Sequence, residues 1–269
     1  MLETGIKVID VFAPITKGET VRIFARSGMG QVVVLLELIF RMKKEGFLTV
    51  LLKSEGNYAE FIEIEKEVDY VCQNRAEVMS ILKESGAEKE VLLFTGLANS
   101  VWVETNESLQ EMAVHSLTTI YIDLDGNSQQ AKRSSLTEWH FDATLAQRYI
   151  YPAIDPVKSY ATEMPSHLLN KEQLLVIEQA HKILSLYQEL RLKVSTQGIT
   201  KFTGEDDKIF KRGERIEAYL TQPFFVAETF TGQKGVFVPL KKVLIDMKRI
   251  IDGVEDKREV EKLKFIGSL

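Results

Sequence analysis

Short apolar runs alternate with amphipathic stretches through the first half of the chain. TVRIFA, FLTVLLK, VLLFT and TTIYIDL are rich in β-branched and aromatic residues and read as strands. The first of them reads as buried over residues 21–25. Between the strands the spacing predicts helices over residues 31–45, stopped by Gly46, and Arg75–Ser85, stopped by Gly86. A glycine just past a helix supplies the left-handed residue that closes its last turn. Strand and helix alternating at this interval imply parallel strands with crossover helices, hence an α/β sheet covered on both faces.

After IYPAIDP the pattern changes to long helices. Over Lys171–Gln197, residues Leu174, Ile177, Ala180, Leu184, Tyr187, Arg191 and Val194 recur at three- and four-residue steps as one largely apolar stripe. Asn170 and Gln173 are placed for a capping box, and Gly198 for the closing turn. A second helix is expected over residues 239–252. There Leu240, Val243, Leu244, Met247, Ile250 and Ile251 share a face, Pro239 suits the first turn and Gly253 follows. The natural division lies near Pro156, with an α/β part before it and a mostly helical part after it.

Composition narrows the function classes. The chain has 269 residues, 45% hydrophobic and 27% charged, as in ordinary globular proteins. A net charge of -5 argues against nucleic acid or an anionic membrane as the main partner. The stretch EDKREVEKLK reads most simply as a solvated helical face. Cys72 is the single cysteine, which allows no internal disulfide and fits a reducing cytosol. VVVLLELIF, the most apolar run, is short and carries Glu37, so a buried helix is expected in place of a membrane span. A cytoplasmic protein without membrane insertion is therefore expected.

The segment ARSGMGQV lies between a strand and a helix, where a phosphate-binding P-loop would have G-x-x-x-x-G-K-[ST]. Gly28 and Gly30 match the pattern's turn. Ala25 takes the place of the first glycine, Gln31 that of the lysine and Val32 that of the metal-binding hydroxyl. Glutamine brings no charge to a phosphate, and valine cannot ligate a metal. Arg26 has two readings, a solvated loop arginine or a replacement for the missing charge.

Four blocks in order carry a wider likeness: LETGIKVIDVFAPITKGETVRIF, HFDATLAQRYIYPAIDP, KILSLYQEL, and LTQPFFVAETFTG with VPLKKVLIDMKRIIDG. Together they resemble the ATP synthase β subunit from the start of its nucleotide-binding domain onward. The resemblance implies a RecA-like P-loop domain with a parallel sheet over residues 1–155, followed by a helical domain over residues 156–269. It also implies an N-terminal β-barrel domain, for which these residues hold no counterpart. The stretch 96–140 is shorter than in the family, and the chain ends before the family's last helix.

Carried over residue by residue, the resemblance assigns a remnant phosphate turn to Ser27, Gly28, Gly30, Gln31 and Val32. An adenine pocket falls on Tyr151, Phe224 and Phe230, which read equally as packing aromatics between the two parts. Gly96 stands where the family's magnesium-organising aspartate ends a strand; Asp123 and Asp125 read as loop aspartates on another strand end. The segment carrying the catalytic glutamate is missing before Glu55, which matches a second, non-catalytic glutamate. His115, His140, His167 and His181 lack zinc-site spacing, with His140 expected to be structural, and Cys72 is expected to be a buried small residue. TKFTGEDDK, with Lys201, Glu205, Asp206 and Asp207, reads either as a shaft-contacting loop or as a solvated helix–turn–helix loop.

Phosphoryl transfer depends on positioning and electrostatic stabilisation, and loss of one preorganised donor costs roughly 100- to 1,000-fold in rate. The expectation is a non-catalytic component of an F-type-ATPase-like complex. Its partners would be an α-like subunit and a γ-like shaft subunit, with ATP or ADP bound weakly or not at all, magnesium doubtful, no metal site, and any membrane association peripheral, through the larger complex. The alternatives are a working β subunit that makes or hydrolyses ATP and a folded remnant without a role.

Overall fold

The computed structural model describes residues 1–53, 59–86, 88–96, 115–123, 136–161, 164, 169–198 and 201–269. Six strands form one all-parallel sheet: β1 Thr20–Phe24, β2 Leu48–Leu52, β3 Tyr70–Cys72, β4 Glu90–Thr95, β5 Ser116–Asp123 and β6 Leu136–His140. Their order across the sheet is β3-β2-β4-β5-β1-β6. The α/β class expected from the alternation is therefore present. All four strands read from the sequence occur within a residue or two of their expected bounds. β3 and β6 were not anticipated, because β3 is three residues long and β6 mixes polar and apolar side chains at the sheet edge.

The connections place helices on both faces. α1 (Lys7–Phe12) precedes β1, and α2 (Gln31–Lys44), α3 (Ala59–Glu67) and α4 (Arg75–Ser85) link the next strands. Successive strand residues point to opposite faces, so the two sets of side chains build separate layers. Leu51, Leu92, Phe94, Ile120 and Ile122 meet α2 and α3 in the main core. Val50, Leu52, Val91, Leu93, Leu117 and Cys72 meet Val78 and Leu82 of α4 in a second cluster. Cys72 is fully buried, as expected, and burial pushes its thiol up to about 11.

After β6 come α5 (Ala143–Gln147), α6 (Lys171–Gln197), α7 (Gly204–Leu220), α8 (Glu228–Thr231) and α9 (Leu240–Ile251). The Asn170–Gln173 capping box forms, and Gly198 adopts the left-handed conformation. The buried stripe of α6 is Val176, Ala180, Leu184, Tyr187 and Leu190. It is rotated from the expected one, so Val194 is exposed and Leu190 takes the place assigned to Arg191. In α9 every expected apolar residue is buried, together with Asp246. Gly213 lets α7 approach α6 closely, since a Cβ there would overlap Tyr187.

Glu205, Asp206 and Asp207 follow the link between α6 and α7 and form the first turn of α7, where the helix dipole favours negative charge. Glu205 and Asp206 are exposed, in keeping with the solvated helix–turn–helix reading. Residues 255–264 form turns and a short 3-10 helix, Val260–Leu263, in place of a solvated helical face. There the guanidinium of Arg215 takes up the carbonyls of Glu255, Asp256 and Arg258, and the Glu255 side chain is buried beside Arg249.

The main core runs without a break from the sheet to α6, α7 and α9. Two buried polar groups cross it. Arg41 on α2 pairs with Glu37 at 2.7 Å and donates to the carbonyls of Thr4 at 2.9 Å and Val236 at 3.0 Å. The other Glu37 oxygen accepts the Val226 N–H at 3.1 Å. Lys7 on α1 donates to the carbonyls of Tyr219 and Ile266 and lies over the Tyr219 ring. Burial pushes Lys7 down from 10.5 to about 7, against the pull of the Asp246 carboxylate. Among the described residues no helix is long and apolar enough to cross a membrane.

Two outcomes are expected. Arg41→Met leaves Glu37 charged and buried, so it should lower unfolding free energy by about 3–5 kcal/mol, read from urea denaturation. Adding Glu37→Gln in the same chain should recover part of that loss. Lys7 binds its proton more weakly in the folded than in the unfolded chain. Its contribution to stability therefore rises with pH between about 7 and 10.5. Urea midpoints measured across that window should climb more steeply for the natural chain than for Lys7→Met.

Candidate functional site

The carboxyl ends of parallel strands, where the sheet's connections diverge, are the places where open α/β sheets bind ligands. Here β1 lies between β5 and β6, and its chain leaves through a turn over residues 25–30 into α2. Gly28 and Gly30 hold φ angles of +85° and +84°, a region closed to most side chains. Gly30 is the N-cap of α2, and no side chain caps that helix. The first-turn N–H groups of a helix so opened can meet an anion.

Beside this turn lies an apolar cavity of about 410 Å³. Its walls come from four parts of the chain: Gly28, Gly30, Val33 and Val34 from the turn and α2; Tyr151 and Pro152; Gln222, Pro223, Phe224, Ala227, Thr231 and Gln233; and Phe265. Tyr151 is held by its own hydroxyl on the Ala146 carbonyl at 3.3 Å and by the Gln222 N–H on its carbonyl at 3.1 Å. The Gln222 side chain is turned inward, accepting from the Lys7 N–H at 3.0 Å and donating to the carbonyls of Gly5 and Val236. Thr231 donates to Ala227 at 3.0 Å. Among the described residues, no cationic or acidic side chain lines the cavity.

The structure brings Gly28, Gly30, Tyr151 and Phe224 together on one cavity. Gln31 and Val32 open α2, and Gln31 is buried with its Oε1 lacking a hydrogen-bond partner. Ser27 and Arg26 are exposed on the turn. Phe230 does not join the other aromatics: it is 90% exposed on α8. Its place on the cavity is taken by Phe265, whose contribution no motif announced. The nearest signal in the sequence was the apolar character of KFIG, which carries no directional information.

None of the remaining candidates among the described residues lines the cavity. Gly96 follows β4 and offers no carboxylate. Asp123 closes β5 in register with Phe24, and Asp125 and Glu55 lie outside the described residues. His140 stacks on Phe24 at 4.5 Å and pairs with Glu138 at 2.9 Å, a structural role as expected. His115 and His181 are exposed, Lys201 precedes α7 on the surface, and His167 lies outside the described residues. Among the described residues there is no group of three or more His, Cys, Asp or Glu able to hold a metal ion.

Magnesium, which the resemblance implies, does not fit the residues described at this site. Val32 and Gly96 stand where its hydroxyl and carboxylate ligands would be, and neither side chain has an oxygen. What remains is a backbone turn open to an anion beside an aromatic-walled cavity. No protein-family model matches the chain. Gly30→Ala should cost about 1–2 kcal/mol for forcing a side chain into left-handed backbone. The added Cβ would also lie 3.4 Å from the Tyr151 ring. Gly28→Ala should cost the backbone term alone, since nothing lies within 4 Å of its added Cβ. Paired urea denaturation curves would measure both.

Proposed function

We propose that the chain is a degenerate ATP synthase β-like protein: a RecA-like P-loop domain followed by a helical domain, acting as a non-hydrolysing assembly component. The observation that carries this reading is the pairing at one site of a retained scaffold with absent chemistry. The two left-handed glycines, the uncapped start of α2 and the cavity with Tyr151 and Phe224 support a nucleotide-type scaffold. The groups that neutralise phosphates and hold magnesium are replaced by Gln31, Val32 and Gly96.

Binding and turnover separate on this account. The cavity offers apolar area to a flat base, and the turn offers backbone N–H groups to a phosphate. A charge-assisted hydrogen bond is worth about 1.5–3 kcal/mol, so without the lysine and the metal the phosphates add little affinity. The protein's role then lies in its partners, an α-like subunit and a γ-like shaft subunit.

Calorimetric titration with ATP, with and without magnesium, tests the site. Weak binding indifferent to magnesium is expected, with no magnesium-stimulated phosphate release. Changing Gln31→Lys and Val32→Thr together should tighten MgATP binding by about tenfold or more. Micromolar binding by the natural chain, strengthened by magnesium, would sink the reading. Co-purification with α-like and shaft-like proteins from the same source tests the assembly role, which falls if neither associates.

A further inference from the structure

One wall of the cavity belongs to none of its neighbouring elements. Phe265 comes from residues 264–269, which meet Lys7 at the start of α1, Thr221 just past α7 and Asp246 in the middle of α9. It is set in left-handed backbone at φ +51°, an uncommon conformation for a residue with a side chain. Ile266 and Leu269 pack on the main core, whereas Phe265 lines the cavity. The fully buried Leu263 pins the chain just before this segment, and none of residues 264–269 is itself fully buried.

Three polar anchors hold the segment down. The Phe265 N–H donates to the Thr221 hydroxyl oxygen at 2.7 Å. Lys7 Nζ donates to the Ile266 carbonyl at 2.8 Å, and the Leu269 N–H donates to Asp246 Oδ2 at 3.0 Å. All three partners are fully buried, so the anchors oppose the backbone's preference to leave φ +51°. Strained backbone persists where its surroundings over-determine it, and such places serve as clamps and switches.

We propose that residues 264–269 are a strap over the cavity: docked, Phe265 closes one wall; undocked, the site opens. The proposal rests on reading the cavity as the base-binding part of the site, and it adds the element that regulates entry. The docked wall is aromatic and uncharged, so the strap admits a flat neutral ring and offers nothing to a phosphate. Opening requires loss of the anchors and of the Ile266 and Leu269 contacts with the core, while Leu263 keeps the preceding chain in place.

The test uses the full chain carrying Val34→Cys, which puts a thiol at a cavity residue that is 1% exposed. Cys72 is buried, so it adds little background. Lys7→Met removes one anchor and Thr221→Val another; both keep Phe265. Each should speed maleimide labelling at position 34 by about tenfold and speed amide exchange at Leu269, whose N–H is bonded to Asp246, by a similar factor. The second variant guards against a general loss of stability in the first. Phe265→Gly relieves the backbone and removes the wall. It should speed labelling without speeding exchange at Leu269. Faster exchange with unchanged labelling would overturn the strap, as would unchanged exchange in both anchor variants. Titration with adenosine separates the two claims. If labelling responds as expected and no variant binds adenosine, the strap stands and the base-binding reading falls.

Discussion

The buried pair of Glu37 and Arg41 is the constraint on which the site's surroundings depend. It sits on α2, and through it α2 holds three distant pieces of chain: Thr4 before α1, Val226 after Phe224, and Val236 before α9. Two charges taken out of water are costly, and their attraction compensates only when the remaining donors and acceptors are satisfied. Here they are satisfied by backbone groups, so the pair fixes where those backbones go. Gln222 works beside it, bonding the Lys7 N–H and the carbonyls of Gly5 and Val236. The stretch that carries Phe224 and Pro223 is thereby set against the start of α2, and the cavity is the space left between them.

On the proposed reading, that arrangement would let a nucleotide-type site keep its shape without the reactive groups. The scaffold is held by buried polar contacts and an unbroken apolar core. Neither involves Gln31, Val32 or Gly96 as a structural tie. Those positions can therefore lose charge, hydroxyl and carboxylate without disturbing the turn or the cavity walls. On the proposed reading, the chemistry was separable from the fold because it was carried by side chains at the ends of elements.

Much of the fold was legible in the sequence. Helices α2, α4, α6 and α9 are legible from spacing, whereas α3 and the 17-residue α7 are not among the helices read from it; the caps follow residue type, Asn170 with Gln173 at one end of α6 and Gly198 at the other. β3 and β6 were not legible, since three residues carry no pattern and LTEWH reads as either face. The turn over residues 255–264 was misread because its charge pattern suits a helix, and Arg215 claims its carbonyls from another element. At the site, Gly28, Gly30, Tyr151 and Phe224 were found through their motifs. Phe230 sat in an equally recognisable motif, yet α8 points it into solvent.

Sequence by itself determined the α/β class, the ends of α2, α4, α6 and α9 and the glycine turn, because each is a local property of residue type and spacing. Tertiary structure alone decided which aromatics share a cavity and where Lys7 and Arg41 find partners. It also decided that residues 264–269 supply a wall. Those outcomes depend on contacts between distant parts of the chain, 195 positions apart for Arg41 with Val236 and 259 for Lys7 with Ile266. No local pattern encodes a distance of that kind; it is set by the packing of helices on the sheet and by the demand that buried polar groups be paired.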